Sequence, residues 1–247
     1  MNTRLGHYCE RVVEAGWLAA VILTPLYFNV YSSRVFEPDK LTLLRSIALL
    51  MGLAWLVSRL ERLSRAGEHT VGEGKPFSWR EAWRSLTATP LMLPVALLVL
   101  VYLGATVFSI VPRTSFWGSY QRLQGTYTAL SYIIIFVVTG KTLRSKAQLE
   151  RLLNTIVLAS LPASLYGVLQ HYGLDPLPWG GNVVDRVTAN LGNAIFIAAY
   201  LIMAFFVTLE RLVARFRRLL SEEGSTLADA FMGGAYLCVL ALQAVAI

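Results

Sequence analysis

The chain has 247 residues, of which 55% are hydrophobic and only 15% charged, and its formal net charge is +7. A soluble domain has about a quarter of its residues charged, so this composition excludes an ordinary soluble enzyme and places most of the chain in a lipid bilayer. Backbone groups in lipid must be paired within the protein, which leaves helices or closed barrels. The apolar runs are continuous rather than alternating, and they predict an all-α, polytopic bundle of transmembrane helices.

Seven apolar runs approach the length needed to cross about 30 Å of hydrocarbon as helices. In chain order they are Val12–Tyr31, Leu41–Val57, Pro90–Ile110, Thr126–Thr139, Leu152–Tyr172, Leu191–Leu209 and Asp229–Ile247. Together they predict one transmembrane domain that covers residues 1–247, with about seven spans.

The longest polar break, residues 61–89, separates the second span from the third. Within it, Trp79 and Trp83 are four residues apart, so they share one face of a helix. Arg80 and Arg84 lie beside them. This pattern predicts a short interfacial helix, with tryptophans at the headgroup level and arginines toward phosphate.

Basic residues are divided unequally between the two sets of loops. If the N-terminus and every second loop are taken as one side, sixteen Lys and Arg residues fall there and five on the other, with Arg45 inside a span. This is the positive-inside pattern of a cytoplasmic (inner) membrane protein. We therefore expect a cytoplasmic N-terminus and outward loops at residues 111–125 and 173–190. The basic loops would then meet anionic lipid headgroups, so the charge does not indicate nucleic acid.

The predicted outward loops are rich in residues that suit sugars and phosphates. Arg122 and Arg186 lie near glycine-rich turns. The planar fork of arginine donates two hydrogen bonds to a phosphate and stays charged, which makes both residues candidates for binding a diphosphate. The candidate glycan contacts are Trp117, Tyr120 and Trp179, although such residues also form the aromatic belts of membrane proteins.

Two more cations lie at the start of the second span, Lys40 at its mouth and Arg45 about one turn inside. A charge in hydrocarbon costs a few kcal/mol unless it is paired or wetted. Arg45 therefore either snorkels outward or lines a polar cavity, opposite an acidic residue or a ligand phosphate. The sequence shows no metal-ligand spacing and no nucleotide-binding motif, so we expect no cofactor, and no residue is assigned as catalytic.

Three stretches together resemble the O-antigen ligase and O-antigen polymerase family of polytopic membrane proteins. They are Phe36–Arg45, Ser115–Tyr127, and the set Gly167–Gln170, Asp175–Pro176 and Arg186–Asn193. Members of that family transfer a glycan from a polyprenyl (undecaprenyl) diphosphate carrier to an acceptor at the outer face, without a metal or a nucleotide sugar. The resemblance implies that Arg122 and Arg186 help to hold the carrier diphosphate. It implies, more weakly, that Lys40 and Arg45 contribute to the same electrostatic field.

The family has more than seven spans and a large outward loop in its C-terminal half. We therefore expect these residues to be either the N-terminal portion of a longer, glycan ligase- or polymerase-like protein of surface polysaccharide synthesis, or the product of a truncated gene. Two alternatives stay open. One is a non-catalytic membrane subunit that packs against protein partners, and the other is a transporter or flippase, which would need polar or broken helices near the bilayer midplane.

Overall fold

The computed structural model of the chain describes residues 4–32, 35–69, 84, 87–175, 177, 184–220 and 226–247. The α-helices bounded within these ranges are α1 Arg4–Leu26, α2 Glu37–His69, α3 Met92–Val107, α4 Pro112–Trp117, α5 Thr126–Thr142, α6 Lys146–His171, α7 Ala194–Leu220 and α8 Leu227–Ala246. A 3-10 turn, Ala189–Leu191, precedes α7. No strand occurs in the described ranges, so the all-α prediction is confirmed for them.

Four helices are long and apolar enough to cross a membrane: α2 as far as Arg65, α6, α7 and α8. Helix α3 is apolar but has only 16 residues. Helices α1 and α5 do not belong to the group of four. Helix α5 has only 17 residues, and α1 contains the charged residues Glu10, Arg11 and Glu14. The chain is therefore a helical, membrane-embedded protein, and the count of about seven spans stays a prediction.

Helix α2 continues to His69, well into the polar break predicted at residues 61–89. Its last turns are rich in helix-forming residues, and Arg65 lies 3.5 Å from Glu61, one turn earlier. Pairs at this spacing stabilise a helix, which explains why it outlasts the apolar run. The predicted interfacial helix with Trp79 and Trp83 lies outside the described residues.

The chain packs as two compact units, and the prediction of one transmembrane domain stays a prediction. Unit 1 comprises Met1–Trp17 and Leu41–Leu143, and unit 2 comprises Leu18–Lys40 and Arg144–Ile247.

In unit 1, α1 packs closely on α2. Val13, Trp17 and Met51 are buried there. A Cβ atom added to Gly16 would collide with the side chain of Met51, so the glycine is needed for this close approach.

The helices of unit 1 alternate in direction. At one end, Thr106 at the C-terminus of α3 shares a hydrogen bond of 2.5 Å with Thr126 at the start of α5. At the other end, Arg62 near the end of α2 pairs with Glu10 near the start of α1. Such alternation is what consecutive membrane crossings require.

Unit 2 is built on α6, α7 and α8 around a core of alanine, isoleucine and leucine side chains. The core consists of Ala163, Ala189, Ile197, Leu201 and Ala246. Deeper in the bundle the contacts become polar.

A buried polar seam joins these three helices. The amide nitrogen of Gln243 on α8 donates to Ser160 of α6 at 2.7 Å and to Thr208 of α7 at 3.0 Å. All three side chains are fully buried. Hydrogen bonds of this kind hold helices together in membranes.

Unit 2 has two distinct ends. At the end called the basic end here, residues 144–151, 209–220 and 226–230, Arg211 of α7 pairs with Glu150 of α6, and Arg215 pairs with Asp229 of α8. At the opposite end, called the loop end, lie the described connections between helices, residues 27–32, 35–36, 172–175, 177 and 184–193.

Candidate functional site

The segment after α3 turns sharply into the short helix α4. Pro112 occupies its first turn, where the missing N–H costs nothing. The hydroxyl of Ser109 lies 2.6 Å from that of Ser115 and accepts from the backbone N–H of Val111 at 3.2 Å. A helix therefore forms inside the stretch 111–125 that the sequence predicts as a loop.

Residues 117–125, called the 117–125 turn below, reverse the chain between α4 and α5. Gly118 ends α4 with φ of +86°, a conformation that suits glycine. The backbone N–H of Leu123 donates to the carbonyl of Ser119 at 2.8 Å. The turn has two arms, residues 116–118 and residues 123–125. A Cβ atom on Gly125 would collide with the backbone of Phe116 and of Gly118, so the two arms are in direct contact.

Arg45 of α2 holds this turn from beneath. Its Nη2 donates to the carbonyl oxygens of Trp117 at 2.9 Å and of Leu123 at 2.5 Å. Its Nε donates to the hydroxyl of Thr128 at 2.9 Å, and its guanidinium carbon lies 4.7 Å from the ring centre of Tyr127. The side chain is only 7% exposed. One guanidinium thus joins both arms of the turn to the start of α5.

The partners of Arg45 are carbonyls, a hydroxyl and an aromatic face. No carboxylate is among them in the part of unit 1 that the structure describes. Dipoles and a ring face can solvate a buried cation, but they leave its net charge uncompensated. The buried side of the turn, around the Arg45 guanidinium, is therefore electropositive.

The outer surface of the turn carries three of the predicted site residues. Trp117 is 51% and Tyr120 76% exposed, and Arg122 is also exposed. Phe116 and Tyr127 stack with their ring centres 6.0 Å apart, and both rings contact the indole of Trp117. The turn thus presents one arginine and two aromatic rings on a rigid frame.

In unit 2, Gln170 organises the loop end. Its carbonyl oxygen accepts from the backbone N–H groups of Thr188 at 3.0 Å and of Ala189 at 2.8 Å. Its amide nitrogen donates to Asp175 at 2.9 Å, and Asp175 also accepts from the hydroxyl of Tyr166 at 2.8 Å. Gln170 is fully buried. Through these hydrogen bonds it connects both ends of the stretch 173–190 to the last turn of α6.

Lys40 also serves the framework of unit 2. Its ammonium donates to the carbonyl oxygen of Asn190 at 2.6 Å. The side-chain amide of Asn190 donates in turn to the carbonyl of Leu26 at 3.2 Å. The end of α1, the start of α2 and the 3-10 turn are thus joined through buried polar groups.

The predicted diphosphate-binding residues therefore fall into two classes. Arg122 and Arg186 are exposed, each within its own unit. Lys40 and Arg45 are buried and donate to backbone carbonyls. Their diphosphate role stays a prediction, as do the glycan contacts. Trp179 lies outside the described residues.

Three residues that organise these segments were not chosen as site residues from the sequence: Thr128, Gln170 and Asn190. Each is buried and bonded to residues distant in the sequence. A signal was present for Gln170, because a glutamine within an apolar helix needs partners. Nothing in the sequence identifies those partners.

In the described ranges, no group of His, Cys, Asp and Glu residues is arranged to hold a metal ion. No family model, curated protein or solved structure matches this chain.

Proposed function

We propose that this chain handles a polyprenyl-diphosphate-linked glycan at the outer face of the cytoplasmic membrane, as part of a glycan ligase or polymerase. The observation that carries the proposal is the 117–125 turn of unit 1. It combines an exposed arginine and two exposed aromatic rings with a buried cation that has no carboxylate partner within the described part of unit 1.

The chemistry of the turn suits a lipid-linked diphosphate. The guanidinium of Arg122 can donate two parallel hydrogen bonds to phosphate oxygens, and the rings of Trp117 and Tyr120 can stack on sugars. Arg45 lies beneath the backbone and adds a positive field without touching the ligand. Because the frame is already fixed, little ordering is needed on binding.

Unit 2 offers an arginine in a comparable setting. Arg186 is exposed, two residues before the backbone N–H that donates to Gln170. In this proposal it contacts a phosphate of the carrier, and Gln170 limits the movement of the segment that bears it.

The transporter alternative finds less support. Helices α6, α7 and α8 are continuous, whereas transporter sites are commonly made by interrupted helices. The polar seam around Gln243 is buried between helices and fits a packing role. The remaining alternative is a non-catalytic membrane subunit. The glycan-ladder experiment below distinguishes it from the proposed function.

The test is the surface-glycan ladder of cells that carry one variant as their only copy of the chain. We expect Arg122→Ala and Arg186→Ala to abolish the ladder while membrane insertion stays normal, because each removes charge-assisted bonds to phosphate. Arg113→Ala is the matched control, since Arg113 is an exposed arginine of helix α4, which leads into the turn that bears Arg122. A normal ladder in both test variants would refute the diphosphate role and favour the subunit alternative.

A further inference from the structure

Helix α7 is longer than a membrane requires. Its 27 residues span about 40 Å at a rise of about 1.5 Å per residue. The hydrocarbon core is only about 30 Å thick. The last turns, at the basic end of unit 2, therefore extend to the level of the lipid headgroups.

Among the described residues, the acidic groups near these turns have cationic partners. Arg211 pairs with Glu150 and lies 3.7 Å from Glu210, and Arg215 pairs with Asp229. Arg217 is exposed and has no carboxylate partner in the described part of unit 2. The first two arginines hold the helices together, whereas Arg217 faces outward.

Further cations lie at the same level. Arg218 is exposed beside Arg217. Lys146 is exposed on α6 one turn before Glu150. Because α6 and α7 are antiparallel and meet at the pair Glu150–Arg211, residues before Glu150 and residues after Arg211 lie toward the same end. The positive charge is therefore contributed by two helices.

An apolar stripe runs along the same turns of α7. Val213, Phe216 and Leu220 are 41%, 47% and 82% exposed. Their spacing of three and four residues places them on one face of the helix. Water is a poor environment for such a stripe at the end of a helix, whereas the boundary between headgroups and acyl chains accommodates it.

We propose that residues 213–220 of α7, together with Lys146, bind anionic phospholipid. The apolar stripe contacts the upper acyl chains, and Arg217, Arg218 and Lys146 contact the phosphate and the acidic headgroup. The proposal does not depend on the glycan function, because the surface shares no residue with the 117–125 turn.

The experiment measures the binding of phosphatidylglycerol and of phosphatidylcholine to the purified chain by native mass spectrometry. We expect phosphatidylglycerol to bind more tightly, and the preference to weaken as salt is raised. Each arginine near an anionic surface changes affinity about fivefold. Arg217→Gln/Arg218→Gln should therefore weaken phosphatidylglycerol binding roughly 25-fold and leave phosphatidylcholine binding unchanged.

Two further variants make the result decisive. Arg217→Lys/Arg218→Lys keeps the charge and should retain most of the preference, and Arg113→Gln, which removes an exposed charge from unit 1, should leave it intact. Equal binding of the two lipids to the unchanged chain would overturn the proposal. So would an undiminished preference in the double glutamine variant, or an equal loss in Arg113→Gln.

Discussion

At the residue scale, the two buried cations act as internal clamps. Arg45 bonds to carbonyls of Trp117 and Leu123, which lie 72 and 78 positions further along the chain. Lys40 bonds to a carbonyl 150 positions away. A buried charge is stable only when fixed dipoles replace its water, and backbone carbonyls provide them here. Each cation thereby immobilises a segment that bears an exposed arginine.

The clamp predicts a large effect of a conservative change at Arg45. In Arg45→Lys the charge remains, but a single ammonium cannot replace a planar fork that reaches both arms of the turn. We expect a loss of roughly 1–3 kcal/mol in the free energy of unfolding and faster amide exchange in residues 117–125. Denaturant titration and hydrogen exchange in detergent measure both effects.

The control for this change is Arg113→Lys, an exchange at an exposed position of helix α4, next to the 117–125 turn. It should alter the free energy of unfolding by less than about 0.5 kcal/mol. If Arg45→Lys behaved like this control, Arg45 would not be a clamp.

Gln170 supports a second prediction at this scale, one that depends on pH. Gln170→Glu keeps the acceptor for Thr188 and Ala189 but replaces the donor to Asp175 with a carboxylate. Two facing carboxylates repel each other while both are ionised, and protonation of either one removes the repulsion. The variant should therefore be least stable at neutral pH and recover as the pH falls toward about 4.

Thermal unfolding of this variant between pH 4 and 8 checks the prediction. The unchanged protein serves as the reference at each pH. A stability difference that does not vary with pH would show that Asp175 and residue 170 do not face each other.

At the scale of elements, the sequence predicted helices well and connections poorly. Apolar runs of about 20 residues cannot avoid forming helices in lipid, so α2, α6, α7 and α8 were foreseeable. The helix α4 was not, because Pro112 and a few polar residues resemble a loop. The contacts of Arg45 and Lys40 also escaped prediction, since they depend on which helices become neighbours.

The close contact between the two arms of the 117–125 turn predicts that alanine substitution destabilises the protein at Gly125 but not at Gly104. Gly125→Ala should destabilise the protein by at least roughly 2 kcal/mol, because the new methyl group meets backbone that cannot move aside. Gly104→Ala is the control, since a Cβ atom there meets nothing and α3 gains a better helix former. Unfolding midpoints of the two variants measure the contrast, and equal midpoints would contradict the close contact of the arms.

At the scale of the whole molecule, helices alternate in direction within each unit. In unit 1 the start of α2 meets the start of α5, and the end of α2 meets the start of α1. In unit 2 the start of α6 meets the end of α7. The comparison of Lys and Arg residues between alternating loops assumed this alternation of helix direction. Which helix ends face the cytoplasm stays a prediction from the positive-inside rule.

Thiol labelling tests that direction separately in each unit. In a background without native cysteines, Tyr120→Cys and Val184→Cys should react with an impermeant reagent in intact cells. Leu63→Cys and Ala147→Cys should react only after the membrane is opened, because they lie toward the helix ends that the charge pattern predicts to be cytoplasmic. All four side chains are exposed in the structure. The opposite pattern would reverse the orientation and move the proposed glycan chemistry to the wrong face.

The central claim is that the 117–125 turn binds a lipid-linked diphosphate. The most direct measurement is the affinity of the purified chain in nanodiscs for undecaprenyl diphosphate, compared with that of Arg122→Ala. Loss of one charge-assisted contact should weaken binding about 10- to 100-fold, whereas Arg113→Ala should bind as the unchanged chain does. Equal affinities for Arg122→Ala and the unchanged chain would contradict the account.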